Sequence, residues 1–372
     1  MHKNRAKKVY VGLSGGVDSS VSLAVLKAQG YDVHGVFIKT WQPDWLPCTW
    51  KDERRSAMRV ASHFNVPFTT LDLEKEYKNG VVDYMIEEYK KGRTPNPDVM
   101  CNKEVKFGAF LRWALDKKQG GDFVATGHYA QSIDEVLVAG NDKNKDQSYF
   151  LWTLKPSQLS KILFPVGDLN KPEVRKRAKL LGLPNAEKKD SQGLCFMGKV
   201  DMKDFLSKYI ETKNGNVLDE DGNVIGTHNG ALLYTIGERH GFHVEKSNSK
   251  TTSTNEEPLF IISKDLEKNT ITVSKNNPNI VKNNNASEIV EIRDVNLNPN
   301  VKFNVGDKAL VKVRYRQENI LATLTEIKAK ENDVISLKLS LSGGSHGATK
   351  GQSLVIYEYP EGKRVIGGGI IE

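Results

Sequence analysis

The sequence has few cysteines and no long apolar run. Cys48, Cys101 and Cys195 are the 3 cysteines of a 372-residue chain, and none lies in a CxxC pair. This pattern excludes a disulfide framework and gives little support to a zinc knuckle or an iron–sulfur cluster. No stretch approaches the roughly 18 apolar residues of a membrane-spanning helix, and the basic N-terminus lacks a signal-peptide core. We therefore expect a cytoplasmic protein with reduced thiols and no membrane partner.

A strong excess of one charge is also missing. The chain has 54 Lys and Arg against 46 Asp and Glu, which gives a formal net charge of +8. A bias of this size suits a polyanionic partner but does not identify one. At about 100–200 residues per domain, the length predicts two or three domains.

Strand and helix patterns alternate through the first half of the chain. Strands are predicted at Lys8–Leu13, Asp32–Ile38, Pro67–Leu73 and Asp122–Thr126, and helices at Asp18–Gln29, Asp52–Phe64, Leu73–Lys91 and Glu104–Lys118. This order predicts an α/β domain over residues 1–209 with a doubly wound, mostly parallel sheet and its ligands at the carboxyl ends of the strands. Frequent turn signals predict a small mixed or β-rich central domain over 210–285, and short strands from Val301 onward predict a C-terminal β-barrel domain over 286–372.

A glycine-rich loop lies between the first predicted strand and the first predicted helix. Its sequence is GLSGGVDSS, over residues Gly12–Ser20. Gly15 and Gly16 permit positive φ angles, so that several N–H groups can face one anion at the start of the helix. The loop has neither the lysine of a Walker A motif nor the spacing of GxGxxG. It is therefore suited to holding the β,γ-phosphates of ATP as a leaving group.

Two cysteines lie in segments rich in turn-forming residues. Cys101 follows two prolines in TPNPDVMCNK, just ahead of the helix predicted from Glu104, where a helix N-terminus and Lys103 would favour the thiolate. Asp98, three residues earlier, is a candidate proton carrier. Cys195 lies between two glycines in DSQGLCFMG, a loop pattern. From the residues alone, either thiol is equally a candidate for a small buried apolar group. Cys48, between aromatic residues, fits that structural role better.

The segment SGGVDSS resembles the PP-loop ATP-pyrophosphatases, which use ATP to adenylate a carbonyl or amide oxygen. Several further segments resemble the tRNA-specific 2-thiouridylase family: GRTPNPDVMCNKEVKFG, ATGHYAQ, KDQSYFLW, KKDSQGLCFMG, LYTIGERHG, VRYRQ and the terminal GGGII. The resemblance covers nearly the whole chain. It implies that ATP with Mg²⁺ adenylates the C2 oxygen of a tRNA wobble uridine and that sulfur replaces it, giving 2-thiouridine, AMP and pyrophosphate.

The same resemblance implies roles for individual residues. Cys195 would receive sulfur as a persulfide from a donor protein. Cys101 would be its catalytic partner, and the two cysteines could close to a disulfide as the sulfur is released. Asp98 would be the acid/base. The implied ATP-binding residues are Gly12, Leu13, Ser14, Gly15, Gly16, Val17, Asp18, Ser19, Ile38 and Gly127. The implied tRNA-binding residues are Asn96, Pro97, Asp98, His128, Lys145, Asp146, Gln147, Arg314, Tyr315 and Gln352, with Arg316 and Gln317 beside them.

Two other functions stay open at this point. Another PP-loop ligase with a small-molecule acceptor would need neither cysteine. An RNA-binding protein that uses the loop only as a nucleotide switch would release no pyrophosphate. Nothing in the sequence demands a dimer, so we expect a monomer.

Overall fold

The computed structural model describes residues 6–46, 50–190, 201–245, 258–276, 287–331, 333–343 and 347–372. Cys48 and Cys195, and with them the predicted loop position of the Cys195 thiol, lie outside these ranges. Within the described residues, every helix is too short or too polar to cross a bilayer.

The first unit is built on a parallel sheet. Its strands are β1 Lys8–Gly12, β2 Asp32–Lys39, β3 Phe68–Asp72, β4 Phe123–Ala125, β5 Ala130–Ile133, β6 Val136–Ala139 and β7 Ile162–Leu163. The order in the sheet is β3-β2-β1-β4-β7 with every pair parallel, and β5 and β6 form a separate hairpin. The predicted parallel α/β fold is confirmed. The strand order reverses between β1 and β4, and such a switch point opens a crevice at the carboxyl ends of the strands.

The helices of this unit connect its strands. They are α1 Val17–Ala28, α2 Trp50–His63, α3 Glu74–Tyr77, α4 Tyr84–Lys90, α5 Pro97–Met100, α6 Phe110–Leu115, α7 Pro156–Leu159 and α8 Lys171–Leu180, with π-type turns at Lys78–Asp83 and Cys101–Ala109 and a 3₁₀ turn at Ser148–Phe150. The π-type turns join α3 to α4 and α5 to α6 without a break. Such turns are rare and often occur at functional sites.

The helix that contains Cys101 begins earlier than its sequence pattern predicts. It starts at Pro97 instead of Glu104, so the expectation that Cys101 lies just ahead of a helix is wrong. Asn96 caps this helix, since its side chain accepts a hydrogen bond from the Val99 N–H at 3.3 Å. Pro97 occupies the first helical position, where its missing N–H is not needed. Pro97 therefore begins the helix four residues before Cys101.

The central unit is a small sheet of mixed direction. α9 Met202–Ser207 precedes its strands, which are β8 Gly215–Leu218, β9 Val224–His228, β10 Phe242–Val244, β11 Phe260–Asp265 and β12 Thr270–Ser274, with a 3₁₀ turn at Ala231–Leu233. The order is β10-β9-β8-β12-β11, and β8 and β12 form its parallel pair. The β-rich character predicted for this region is confirmed.

The last unit is a closed barrel, as its short strands and turns predict. The barrel order is β13-β16-β15-β14-β17-β18. These strands are β13 Ser287–Leu297, β14 Lys308–Lys312, β15 Ile320–Lys330, β16 Asp333–Ser342, β17 Ser353–Glu358 and β18 Val365–Ile371. The sequence pattern did not predict β13, the strand that pairs with both β16 and β18 and so closes the barrel.

One apolar core joins the three units. It contains Tyr10 and Phe110 from the first unit, Tyr234 from the central unit and Tyr357 from the barrel, all at most 1% exposed. Tyr149, after the β5–β6 hairpin, donates its hydroxyl to the Ser353 carbonyl oxygen of the barrel at 2.8 Å. The units are therefore packed as one body. The exact domain limits at 209/210 and 285/286 stay a prediction.

Candidate nucleotide and thiol site

A cavity of about 490 Å³ opens at the switch point between β1 and β4. Most of the residues implied for ATP line it: Gly12, Leu13, Ser14, Gly16, Val17, Asp18, Ser19, Ile38 and Gly127. Of the residues implied for the base and the tRNA, it is lined by Asp98, His128, Lys145, Gln147 and Tyr315, with Arg316 next to them. The fold thus brings the glycine-rich loop, the segment before Cys101 and the C-terminal barrel to one space.

The glycine-rich loop is held in shape by its own hydroxyls. Ser20 Oγ donates to the Gly16 carbonyl oxygen at 2.8 Å, and Gly16 N–H donates to Ser14 Oγ at 3.3 Å. Gly15 has a φ of +73°, and a Cβ there would lie 2.6 Å from the Glu53 carbonyl oxygen. No side chain caps α1 at Gly16. Its first N–H groups are therefore left for a ligand, and the helix dipole favours an anion.

Gly127 brings the end of β4 against the glycine-rich loop. A Cβ at this position would lie 2.6 Å from Ser19 N and 2.8 Å from the Asp18 carbonyl carbon. Both atoms belong to the first turn of α1, which cannot swing aside as a flexible side chain would. A glycine is thus required here by a close backbone approach.

An ion-pair network lies beside the loop. Lys171 Nζ, from the start of α8, donates to both carboxylate oxygens of Asp18 at 2.7 and 2.9 Å and lies 2.8 Å from Asp190 Oδ1. Asp190 also pairs with Lys145 and with Arg175, each at 2.7 Å. Burial raises the pKa of Asp190, but hydrogen bonds from Lys145 and Lys171 outweigh it and lower the pKa to about 2. The network joins Asp18 of the loop to the segment that leads toward Cys195.

Sequence reasoning missed part of this network. Lys171 lies in none of the recognised motifs, and Asp190 lies in DSQGLCFMG, where the resemblance assigns it no role. Lys145, implied as a tRNA contact, lines the cavity but pairs with Asp190. Glu53, which also lines the cavity, was missed as well; burial raises the pKa of its carboxyl group, against the opposing charge of Lys188.

Cys101 and Asp98 occupy opposite environments on one helix. The Cys101 side chain is 0% exposed and belongs to the shared apolar core, whereas Asp98, one turn earlier, lines the cavity. Lys103 Nζ lies 3.5 Å from Glu104 Oε1. The expected thiolate environment at a helix N-terminus is therefore absent, since Cys101 is inside the helical run. Cys101 itself does not line the cavity, although Asp98 and Asn102 on either side of it do.

His128 is a neutral, buried group of the cavity wall. It is 7% exposed and packs against the rings of Phe107 and Phe164. Thr126 Oγ1 lies 2.7 Å from His128 Nδ1. Burial, with the nearby charge of Lys106, holds the pKa of His128 well below its usual range. A contact between this side chain and tRNA would use a neutral imidazole, not a cation.

Comparisons with known proteins agree along the whole chain. Three family models match successive parts of the chain. They are described as a tRNA methyl transferase HUP domain (residues 7–199), a tRNA methyl transferase PRC-barrel domain (residues 203–275) and an aminomethyltransferase beta-barrel domain (residues 292–371). The tRNA-specific 2-thiouridylase MnmA of Streptococcus thermophilus (strain CNRZ 1066) is 40% identical over 100% of this chain and 97% of its own length. The protein of the same name from Vibrio vulnificus (strain CMCP6) is 41% identical over 100% of this chain and 98% of its own.

The chain belongs to the tRNA-specific 2-thiouridylase family. Among solved structures, the U34-tRNA thiolase NcsA from Methanococcus maripaludis matches 56% of this chain and 65% of its own, with 18% identity and a TM-score of 0.35. In the described ranges, no group of three or more His, Cys, Asp or Glu side chains is placed to hold a metal ion.

Several residues that the resemblance to the 2-thiouridylase family assigns to tRNA make contacts within the protein. Gln352 Nε2, on the barrel, donates to the Thr94 carbonyl oxygen at 3.0 Å, and Arg314 Nη2 donates to the Gly347 carbonyl oxygen at 2.9 Å and to that of Ile236 at 3.3 Å. Thr94 Oγ1 in turn lies 3.0 Å from Thr235 Oγ1 of the central unit. All three units therefore meet at the turn that carries Asn96 and Pro97.

Asp146 likewise acts inside the fold. It is 7% exposed, and its Oδ1 accepts the N–H groups of Gly140 at 3.0 Å and Ser148 at 3.1 Å. Gln147 uses its side-chain oxygen to accept the Tyr129 N–H at 3.0 Å while it lines the cavity. Several residues to which the resemblance assigns a role do not line the cavity: Gly15, Asn96, Pro97, Cys101, Asp146, Arg314 and Gln352. The roles assigned to these residues stay predictions.

Proposed function

We propose that this protein is a tRNA-uridine 2-sulfurtransferase. In this reaction ATP adenylates the C2 oxygen of a wobble uridine, and a cysteine-borne sulfur then replaces that oxygen. The observation that carries the proposal is the single cavity lined both by the glycine-rich loop and by Asp98, one helical turn from Cys101. A small-molecule ligase would have no use for a cavity wall that includes Tyr315 and Arg316 of a distant barrel.

The nucleotide half of the site is the loop Gly12–Ser19 with Ile38 and Gly127. The uncapped N–H groups at the start of α1 would hold the β,γ-phosphates, so that pyrophosphate leaves when the uridine oxygen attacks the α-phosphorus. A uracil oxygen is a poor leaving group, and adenylation makes it a good one because it can then depart as part of AMP. Mg²⁺ enters this proposal as the ion carried by the ATP phosphates.

The base half of the site lies where the first unit meets the barrel. The rings of Phe150 and Tyr315 lie 4.5 Å apart between centroids, and both line the cavity with Asn102. A base that leaves its stack is recognised by an aromatic face and by polar groups on its edge. Asp98 is the proposed acid/base. Arg316 and Lys106 are the cations that would bind the phosphates of the RNA backbone.

The sulfur half of the proposal uses two thiols. A donor protein would leave a persulfide on Cys195, and its outer sulfur would attack C2 as AMP departs with the former C2 oxygen. The Cys101 thiol would then lose its proton to Asp98, the proposed acid/base, and attack the Cys195 sulfur, which leaves the thiocarbonyl on the uridine and a disulfide between the cysteines. A thiol reductant reopens that disulfide. Release of hydrosulfide before the attack on C2 is the alternative order. Either order requires the two sulfurs to meet.

Nucleoside mass spectrometry tests the function directly. We expect the full chain, incubated with tRNA, ATP, Mg²⁺ and a persulfide source, to replace one oxygen of the wobble uridine by sulfur and to release AMP and pyrophosphate. A tRNA with cytidine at the wobble position is the matched control and should gain no sulfur. Absence of pyrophosphate release would contradict the proposal, and a mass gain of one methylene group would indicate methyl transfer instead. Size-exclusion chromatography checks the proposed monomer.

Replacing Gln352 by alanine should lower kcat more than it changes the KM for tRNA. Its amide holds the Thr94 carbonyl oxygen at the start of the turn that leads to Asp98, so its loss allows that turn to shift. A net hydrogen bond contributes about 0.5–1.5 kcal/mol, which corresponds to a decrease in kcat of about 2- to 13-fold. Steady-state kinetics with varied tRNA measures both parameters.

The control for that experiment is Gln131→Ala. Gln131 Nε2 also donates to a backbone oxygen, that of Ala139 at 3.1 Å, but it does not line the cavity. This variant should keep both parameters. A Gln352→Ala enzyme with a raised KM for tRNA and an unchanged kcat would show that Gln352 binds tRNA instead of holding the turn.

A further inference from the structure

We propose that Lys189 supplies the positive charge that the glycine-rich loop lacks for the terminal phosphates of ATP. This inference rests on the proposed function, because it assigns a residue to the leaving group of that reaction. Nothing in the sequence pattern of the loop points to Lys189, which is far from it along the chain.

The loop has no cation of its own. Its residues 12–20 read GLSGGVDSS and contain neither Lys nor Arg. Backbone N–H groups and the α1 dipole provide only partial charges. Pyrophosphate gains negative charge as its bond to the α-phosphorus breaks, and a cation placed at that charge stabilises the transition state. A cationic side chain from another part of the fold can serve this purpose beside the Mg²⁺ that ATP carries.

Four cationic side chains line the cavity, and three of them have other contacts. Lys145 pairs with Asp190 at 2.7 Å, Lys106 Nζ lies 3.4 Å from His128 Nε2, and the Arg316 guanidinium lies 5.2 Å from the Tyr315 ring centroid. Lys189 is exposed and forms no ion pair within the described part of the chain. Because Lys106 and Arg316 are the cations proposed for the RNA backbone, the Lys189 ammonium group is left for the phosphates of ATP.

The neighbours of Lys189 are fixed to the loop from both sides. Lys188 Nζ donates to the Gly15 carbonyl oxygen at 3.2 Å, and Asp190 is joined through Lys171 to Asp18 of the loop. Asn185, which is 6% exposed, donates its amide to the same Gly15 oxygen at 3.0 Å. Because residues 185–190 are held on the loop, the Lys189 side chain is carried to the edge of the phosphate site. A lysine ammonium, a compact charge, suits a phosphate.

The test compares binding of pyrophosphate and of AMP to the full chain by calorimetry, without tRNA. Lys189→Ala should weaken pyrophosphate binding about 10- to 100-fold, the usual effect of losing a charged hydrogen bond, and should leave AMP binding unchanged. Lys189→Arg, which keeps the charge, should recover most of the loss. Lys176→Ala, which removes an exposed lysine of α8 away from the cavity, should change neither affinity.

The outcomes separate this inference from the function on which it rests. Equal pyrophosphate affinity in the parent chain and in Lys189→Ala would overturn the role of Lys189 alone. Failure of the parent chain to bind pyrophosphate or ATP would overturn the proposed function. Weaker tRNA binding with unchanged pyrophosphate binding would move Lys189 to the RNA and also overturn the inference. Matching thermal unfolding midpoints would show that the variants are folded.

Discussion

Replacing Cys101 by serine is expected to abolish 2-thiouridine formation while pyrophosphate is still released from ATP in the presence of tRNA. Serine keeps the shape of the side chain but cannot attack the Cys195 sulfur by thiol–disulfide exchange. Adenylation depends on the cavity, which Cys101 does not line, so the first half of the reaction should continue. We expect thiolation to fall by at least about 10³-fold, as when a nucleophile is removed from other enzymes. Nucleoside mass spectrometry and a pyrophosphate assay on one sample separate the two steps.

Burial of Cys101 makes a second variant necessary. The side chain is 0% exposed, and a hydroxyl there without a good partner costs about 1–3 kcal/mol of stability. Cys101→Ala avoids that penalty and leaves only a small cavity, so it should lose thiolation equally with a smaller change in the unfolding midpoint. Cys48→Ser is the matched thiol control and should keep nearly full activity. A Cys101→Ser protein that thiolates at the parent rate would contradict the sulfur-transfer mechanism.

Strands were predictable where the local pattern of apolar residues matches the residues that the fold buries. β1 has three consecutive buried residues between half-buried ends, a pattern typical of a strand covered on both faces. β13 was missed because only Val290 and Ile292 are buried among its 11 residues, and charged residues interrupt the alternation. The barrel around β13, not the intrinsic pattern of its residues, fixes it as a strand.

The lining of the cavity was predictable where its residues lie in recognisable sequence motifs. The glycine-rich loop carries most of the proposed phosphate site in one segment, and the positive φ angle of Gly15 explains a glycine there. The contacts that fix the loop come from residues far along the chain, such as Lys171 and Asn185, which no local pattern distinguishes. Arg314 and Gln352 are of residue types that suit RNA contact, but their side chains donate hydrogen bonds to backbone carbonyl oxygens of other units. In both cases the role of the side chain depends on tertiary contacts, which the spacing of residues in the sequence does not reveal.

Replacing Gly127 by alanine should raise the KM for ATP about 10- to 100-fold, because the added methyl group pushes on the phosphate loop. The new Cβ would lie 2.6 Å from Ser19 N and 2.8 Å from the Asp18 carbonyl carbon, closer than such atoms approach in folded proteins. Overpacking of this kind costs about 1–3 kcal/mol, and the first turn of α1 must move to relieve it. That turn carries the N–H groups proposed to bind the phosphates. Steady-state kinetics with varied ATP, together with thermal unfolding, measures both effects.

Gly30→Ala separates the displacement of the loop from a general loss of stability. Gly30 ends α1 with a φ of +84°, and a Cβ there would meet nothing within 4 Å. This variant should lose about 1–2 kcal/mol through backbone strain alone and keep its KM for ATP. If Gly127→Ala bound ATP as tightly as the parent chain, the close approach of β4 to α1 would not be what shapes the phosphate site. If both variants lost ATP affinity in proportion to stability, the effect would be global rather than local to the loop.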